Sequence, residues 1–167
     1  MSDNTRSSDP GRVNLSQLVQ QEAINAHSES RGTQHILLAF LGEYENSAGQ
    51  ILHAFDVTRE NAAAAINQVI ASGVTETPRP PEVALTNAPP PLDLLPATEQ
   101  EFQAFRTGCY EVMNRGDRVA VWAHILLGLL IVEDGIAAQS LLALGLDLDQ
   151  IRDSTLELLD SPDVPVP

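Results

Sequence analysis

The sequence predicts an all-α protein built from two tandem four-helix repeats joined by a Pro-rich linker. Three observations carry that prediction. First, His35-Ile-Leu-Leu-Ala-Phe-Leu41 returns 89 positions later as His124-Ile-Leu-Leu-Gly-Leu-Leu130. At that offset 34–70 aligns with 123–159 without a gap and with about nine identical positions, the mark of an internal duplication. Second, apolar residues recur at 3–4 spacing behind Asn, Ser, Thr and Asp residues suited to helix N-termini. Third, no strand pattern of any strength appears.

Taken in order, residues 1–13 are rich in Ser, Asp, Asn and Gly without periodicity and read as a disordered arm. Asn14 is placed to cap a helix carrying Leu15, Leu18, Val19, Ala23 and Ala26 on its apolar side. The polar turn His27–Gly32 ends it. Thr33 then caps a short apolar helix to about Glu43, Ser47 a third to about Phe55, and Thr58 an Ala-rich fourth to about Ser72. Gly73 closes this first repeat, 14–73, as a C-cap. In 74–97, Pro78, Pro80, Pro81, Pro89, Pro90, Pro91 and Pro96 fix φ and remove amide donors, so the segment reads as an extended linker.

The second repeat, 98–160, opens with Thr98-Glu-Gln-Glu101, a capping-box sequence. Behind it Phe102, Phe105, Cys109 and Val112 form one apolar stripe, and the helix ends near Gly116. Three further helices follow near 122–132, 135–144 and 147–160, with Gly145 as the last break and Asp147 and Asp149 suiting the final N-terminus. The tail 161–167 contains three prolines and reads as loose.

Composition limits the function. A net charge of −14 from 23 acids and 9 bases repels phosphate backbones and anionic lipids, which disfavours nucleic acid and membrane surfaces as partners and favours basic peptides. All nine bases are Arg, and the absence of Lys excludes a Walker-A loop and Schiff-base chemistry. A single Cys excludes an intrachain disulfide and a thiolate metal cluster. No apolar run approaches the length of a membrane span, no signal-peptide h-region is present, and the simplest compartment is the cytoplasm.

The repeated motif resembles the N-terminal repeat domain of the Clp ATPases, the unfoldases that feed the Clp peptidase. The family repeat runs Gly-Thr-Glu-His-Ile-Leu-Leu-Gly-Leu, then a Glu-Gly turn, Ala-Ala-x-x-Leu and Leu-Gly-Val-Asp. Repeat one has Gly32-Thr-Gln-His-Ile-Leu-Leu-Ala-Phe-Leu41. Repeat two has Trp122-Ala-His-Ile-Leu-Leu-Gly-Leu-Leu130 followed by Glu133-Asp-Gly-Ile-Ala-Ala-Gln-Ser-Leu-Leu-Ala-Leu-Gly-Leu-Asp147. The likeness spans roughly 14–160 and implies a pseudo-twofold all-α domain without catalysis or cofactor, which docks adaptors and substrates. In some branches it also receives phosphoarginine-marked proteins or cyclic peptides. No ATPase module follows, so the chain reads as a free-standing copy or an isolated fragment. The family Glu that reads the guanidinium of phosphoarginine is Gln34 here, and Ala123 in repeat two. Losing both carboxylates removes the charge-assisted contacts that ligand needs. The linker is longer and more Pro-rich than the family junction.

The candidate ligand-binding residues are Phe102, Phe105, Cys109 and Trp122, with Thr33 and Gln34 lining the equivalent half-site. By the resemblance, the start of the second repeat's first helix lines a docking groove, and Phe102 stands where the family is commonly basic. Both phenylalanines could equally pack into the core. Trp122 replaces the motif Thr, so it either plugs the emptied anion site or walls an apolar pocket. Cys109, on an apolar stripe without a basic neighbour, reads as a packed thiol rather than a nucleophile. His35 and His124 read as rings that hydrogen-bond the adjoining turn, since no carboxylate or Cys lies at ligand spacing; His27 and His53 read as surface or partly buried. The acid pairs Glu99 with Glu101 and Glu133 with Asp134 read as solvated groups at helix starts and turns, and no catalytic or metal site is expected. The expected function is a non-catalytic Clp N-domain-like binding protein for peptides, adaptors or a hydrophobic cyclic peptide, able to sequester a Clp-targeting ligand. The alternative is a regulatory partner or adaptor that binds the Clp ATPase itself and modulates degradation.

Overall fold

The computed structural model describes residues 14–42, 45–79, 94–117 and 121–161. The expected arm, most of the tail and the middle of the linker lie outside these residues.

Eight helices make up the described residues: α1 (Leu15–Asn25), α2 (Thr33–Phe40), α3 (Ser47–Ala54), α4 (Arg59–Ala71), α5 (Glu99–Arg115), α6 (Trp122–Ile131), α7 (Ile136–Ala143) and α8 (Leu148–Asp160). Among the described residues the remaining pairing is two isolated bridges, Arg31 with Ala97 and Pro78 with Thr98. Side-chain caps explain most of the starts. Asn14 accepts from Ser16 N at 3.0 Å, Thr58 and Asn61 exchange bonds at 3.2 and 2.9 Å, and Asp147 accepts from Asp149 N at 2.9 Å. Two expected caps shift by one residue. Asn46 rather than Ser47 caps α3, accepting from Gly49 N at 2.7 Å. Gly32 rather than Thr33 is the N-cap of α2, which leaves both hydroxyls free for contacts between helices. α2 also stops at Phe40, short of Glu43.

The two repeats interlock. α1 packs on α2 and α5 on α6, but α7 of the second repeat packs on α2 and α4 of the first, while α3 packs on α6 and α8. Exchanging the repeats maps each of these contacts onto its counterpart, which is the pseudo-twofold relation. One hydrophobic cluster runs through both, from Val19, Leu37 and Leu52 to Leu126, Leu141 and Ile151. Neither repeat owns a complete core.

The α5–α6 contact corrects the expected apolar stripe. The residues of α5 facing the core are Gln100, Glu101, Ala104 and Gly108. A Cβ on Gly128 of α6 would lie 2.0 Å from the Ala104 carbonyl oxygen, and one on Gly108 would lie 2.8 Å from that of His124. Small residues bring the two backbones together, so the large side chains are turned to the flank. Phe102 and Phe105 are half-buried and Cys109 is exposed, not packed.

Candidate functional site

The most elaborate polar arrangement joins the N-termini of α2 and α7, one from each repeat. Amides at the start of a helix lack intrahelical acceptors and carry the positive end of the helix dipole, so they attract an anion. Here the anion comes from the linker. The Glu76 carboxylate accepts from Thr33 N at 2.9 Å and Ile136 N at 2.9 Å, and from Thr98 Oγ1 at 2.6 Å. Thr33 Oγ1 donates to the same carboxylate while accepting from Ala137 N at 3.0 Å. A single side chain therefore ties together both repeats and the start of α5.

Beneath it lies Glu101. Instead of turning back to complete a capping box, its carboxylate faces Arg31, with Nε 3.6 Å from Oε1, too long for a hydrogen bond. Arg31 Nε and Glu101 Oε2 have no hydrogen-bond partner among the described residues. Burial pushes the Glu101 carboxyl up to about 7, with Arg31 opposing and Glu76 adding to the rise. Glu101 is thus a buried group, which corrects its reading as a solvated acid. Gln100 completes the rim, accepting from Thr77 N at 3.1 Å and donating to Asp134 at 3.0 Å.

The pseudo-equivalent half-site joins the N-termini of α6 and α3. Trp122 stands at the position of Thr33 and has no hydroxyl to offer. The missing acceptor is supplied from the other helix, where Ser47 Oγ accepts from Ala123 N at 3.0 Å. The Trp122 ring is half-buried and meets Phe40 with centroids 6.1 Å apart and planes tilted by 37°.

The structure separates the candidate residues into two groups. The α5–α6 register, with Ala104 opposite Gly128 and Gly108 opposite His124, is antiparallel. Phe102 therefore lies at the Glu76 end with Thr33 and Gln34, while Cys109 and Trp122 lie toward the other end. Phe102 lies under the Arg79 guanidinium, 3.4 Å from the ring centroid, whereas Phe105 packs against the core. Gln34 is half-buried, and its buried Oε1 has no hydrogen-bond partner among the described residues. Both Gln34 Oε1 and Glu76 Oε2 crowd Gly32, 2.3 and 2.5 Å from where its Cβ would stand.

A model of the Clp repeat (R) N-terminal domain family matches residues 15–90. Residues 15–90 therefore match the Clp N-terminal repeat family. It is 25% identical over 145 residues to the ATP-dependent Clp protease ATP-binding subunit ClpC of Staphylococcus saprophyticus, covering 87% of this chain. It is 28% identical over 144 residues to the negative regulator of genetic competence ClpC/MecB of Bacillus subtilis, covering 86% of this chain. The match spans 16% of the length of each of these relatives. In fold it is similar to the N-terminal domain of the caseinolytic protease associated chaperone ClpD from Arabidopsis thaliana. That likeness has a TM-score of 0.62 at 21% identity, with 86% of this chain and 88% of that one covered.

Within this fold the two motif histidines hold the corners before α2 and α6. Gly32 N donates to His35 Nδ1 at 2.9 Å, and Val121 N to His124 Nδ1 at 3.1 Å. Each Nε2 then meets a residue seven positions back: Ser28 Oγ at 3.1 Å in repeat one and Asp117 Oδ2 at 2.8 Å in repeat two. The corner role holds, but His124 does have a carboxylate partner, brought to it by the turn after α5. Burial lowers His35 to about 4, and the His124 bond holds Asp117 below the usual carboxylate range. His27 and His53 are exposed. No group of His, Cys, Asp and Glu among the described residues could hold a metal, and none of the helices there is long and apolar enough to cross a membrane.

Two surface hollows are lined by residues other than the candidates, although Phe40, which meets Trp122, borders the second. One of about 460 Å³ is lined by Leu18, Glu22, Asn25, Leu41 and Arg59 among others, and one of about 290 Å³ lies beside α3. At the first, Arg59 already pairs with Glu22 at 2.7 Å. Sequence reasoning missed Glu76, a lone acid in a Pro-rich stretch with no periodicity around it. The available signal was indirect: Gln34 replaces the motif Glu, and a carboxylate there would stand close to that of Glu76.

Proposed function

We propose that this Clp domain is a non-catalytic binding module that takes peptides or adaptors of the Clp system, or a hydrophobic cyclic peptide, on the flank of α5 and the start of α6. The observation that carries the reading is the outward turn of the aromatic side chains of α5. Ala104 and Gly108 fill the contact with α6, which leaves Phe102, beneath Arg79, and Phe105, at the edge of the core, only half-buried at i, i+3 spacing on one flank. Exposed Tyr110 and Met113 and exposed Cys109 continue the apolar character of α5 toward its C-terminus. Aromatic and Met side chains on a flank of small total area suit apolar anchors of a peptide.

An anionic ligand is disfavoured at both half-sites. The amides of one are already bonded to Glu76, and Ser47 and Trp122 fill the other. The buried polar cluster around Glu101 does not turn the reading toward an enzyme. Glu76, Thr33 and Thr98 beside it are engaged in joining the repeats. In this account the module captures a ligand that would otherwise reach the N-domain of a Clp ATPase, or delivers one to it. The alternative, a regulator that binds the ATPase itself, draws on the net charge of −14 against a basic surface.

The test is a thermal-shift and calorimetric titration with a hydrophobic cyclic peptide of the kind that binds Clp N-domains, and separately with phosphoarginine. A ligand specific for the folded state raises the melting temperature. Stabilisation by the cyclic peptide alone supports the reading. Stabilisation by phosphoarginine contradicts the assignment of the filled half-sites. Silence from both, with recovery of a Clp ATPase in a pull-down, moves the assignment to the regulator.

A further inference from the structure

We infer that residues 74–79 are an intramolecular occupant of the peptide site, and that the groove beneath them takes an extended peptide bearing an acid three residues before an arginine. The inference rests on the peptide-binding reading and names both the regulation of that site and a ligand class for it. Glu76-Thr77-Pro78-Arg79 runs antiparallel to the start of α5, bridging at Pro78 and Thr98. Glu99 N donates to Thr77 O at 2.8 Å and Arg79 N to Ala97 O at 2.9 Å, the main-chain pairing by which a peptide adds to an exposed edge. Two side chains anchor it: Glu76 across the α2 and α7 N-termini, and Arg79 over the face of Phe102.

These contacts fall on residues that the ligand-binding reading needs. Thr33 is bonded to Glu76, Gln34 crowds the same carboxylate across Gly32, and Phe102 is covered by Arg79. Thr75, Thr77 and Pro78 are exposed, and Val74 packs against the core, so from Thr75 onward the stretch is held by its main-chain bonds and two anchors, which a separate peptide could replace. The tether makes the occupant a competitor at an effective concentration on the order of millimolar, so an external peptide meets a closed site until the anchors release.

The test compares wild type with the double variant Glu76→Gln/Arg79→Ala, using a fluorescein-labelled Thr-Glu-Thr-Pro-Arg peptide followed by anisotropy. Circular dichroism checks that the variant stays helical. The expected result is binding at least about tenfold tighter to the variant than to wild type, and loss of binding when the peptide's Glu and Arg are both Ala. A folded variant that binds the peptide no better than wild type overturns the inference. If the variant does not fold, hydrogen exchange on wild type decides. Displaceability requires the Arg79 and Ile136 amides to exchange about a hundredfold faster than Leu126, and exchange at the rate of global unfolding overturns it. Titration of the variant, whose site is open, with the hydrophobic cyclic peptide separates the two readings. Cyclic-peptide binding without binding of the acid-and-arginine peptide sinks this inference alone, and absence of both sinks the peptide-binding reading with it.

Discussion

Replacing Glu76 with Ala removes a side chain that bonds to both repeats and to the cap of α5. Its carboxylate accepts from Thr33 N, Ile136 N, Thr33 Oγ1 and Thr98 Oγ1. Hydrogen bonds to a charged group are each worth about 1.5–3 kcal/mol net. They do not add here, because Glu76 is half-buried and water can enter the vacated space to bond the exposed amides. Thr33, 0% exposed, keeps its bond from Ala137 N but loses its acceptor. The net loss works out at roughly 3 kcal/mol, with Glu76→Gln losing about half as much because one oxygen still accepts. Urea unfolding followed by far-UV circular dichroism measures it, and a cycle with Thr98→Val isolates the shared term. A loss below about 0.5 kcal/mol for Glu76→Ala would refute the reasoning, since surface contacts of no structural weight behave that way.

Four further outcomes follow from the same geometry. Gly128→Ala places a methyl 2.0 Å from the Ala104 carbonyl oxygen, a backbone atom that cannot rotate away, so thermal unfolding should show a loss of about 3 kcal/mol or more. Glu101 titrates near 7 in the folded state against 4.5 unfolded, so its contribution is present below pH 4.5 and lost as pH rises through 7. Urea titrations should therefore show Glu101→Gln gaining on wild type by up to about 3 kcal/mol between pH 4.5 and 8, with an unchanged difference as the contrary result. His35, lowered to about 4, acts in the opposite sense, and its stabilisation is lost as pH falls from 6.5 to 4. Cys109 is exposed, so a thiol reagent should label it stoichiometrically without denaturant, where a packed thiol would wait for unfolding.

The fold was legible because its signals are local and doubled. Asn14, Thr58 and Asp147 announce their helices by cap chemistry, and the 89-residue offset states the symmetry. The buried face of α5 was not legible from hydrophobicity, because what decides it is how closely Gly128 lets the backbone of α6 approach Ala104. A helical stripe containing two Phe looks more like a core than one containing Gln, Glu, Ala and Gly. The His corners were readable from repeated position, but the Asp117 partner depends on how the turn after α5 is placed. Glu76 was the least accessible. Its role exists only once α2 and α7, distant in sequence, bring their N-termini together, and nothing within ten residues of it marks that event.

The central claim is that an apolar ligand occupies the flank of α5 and the start of α6, and the chain supplies its own probe in a single tryptophan. Trp122 is half-buried there against Phe40. The deciding measurement is its emission during titration with the hydrophobic cyclic peptide. The account predicts a saturable blue shift as the ring loses its remaining contact with water. Unchanged emission at peptide concentrations where calorimetry shows the site filled would contradict it and place the ligand elsewhere on the domain.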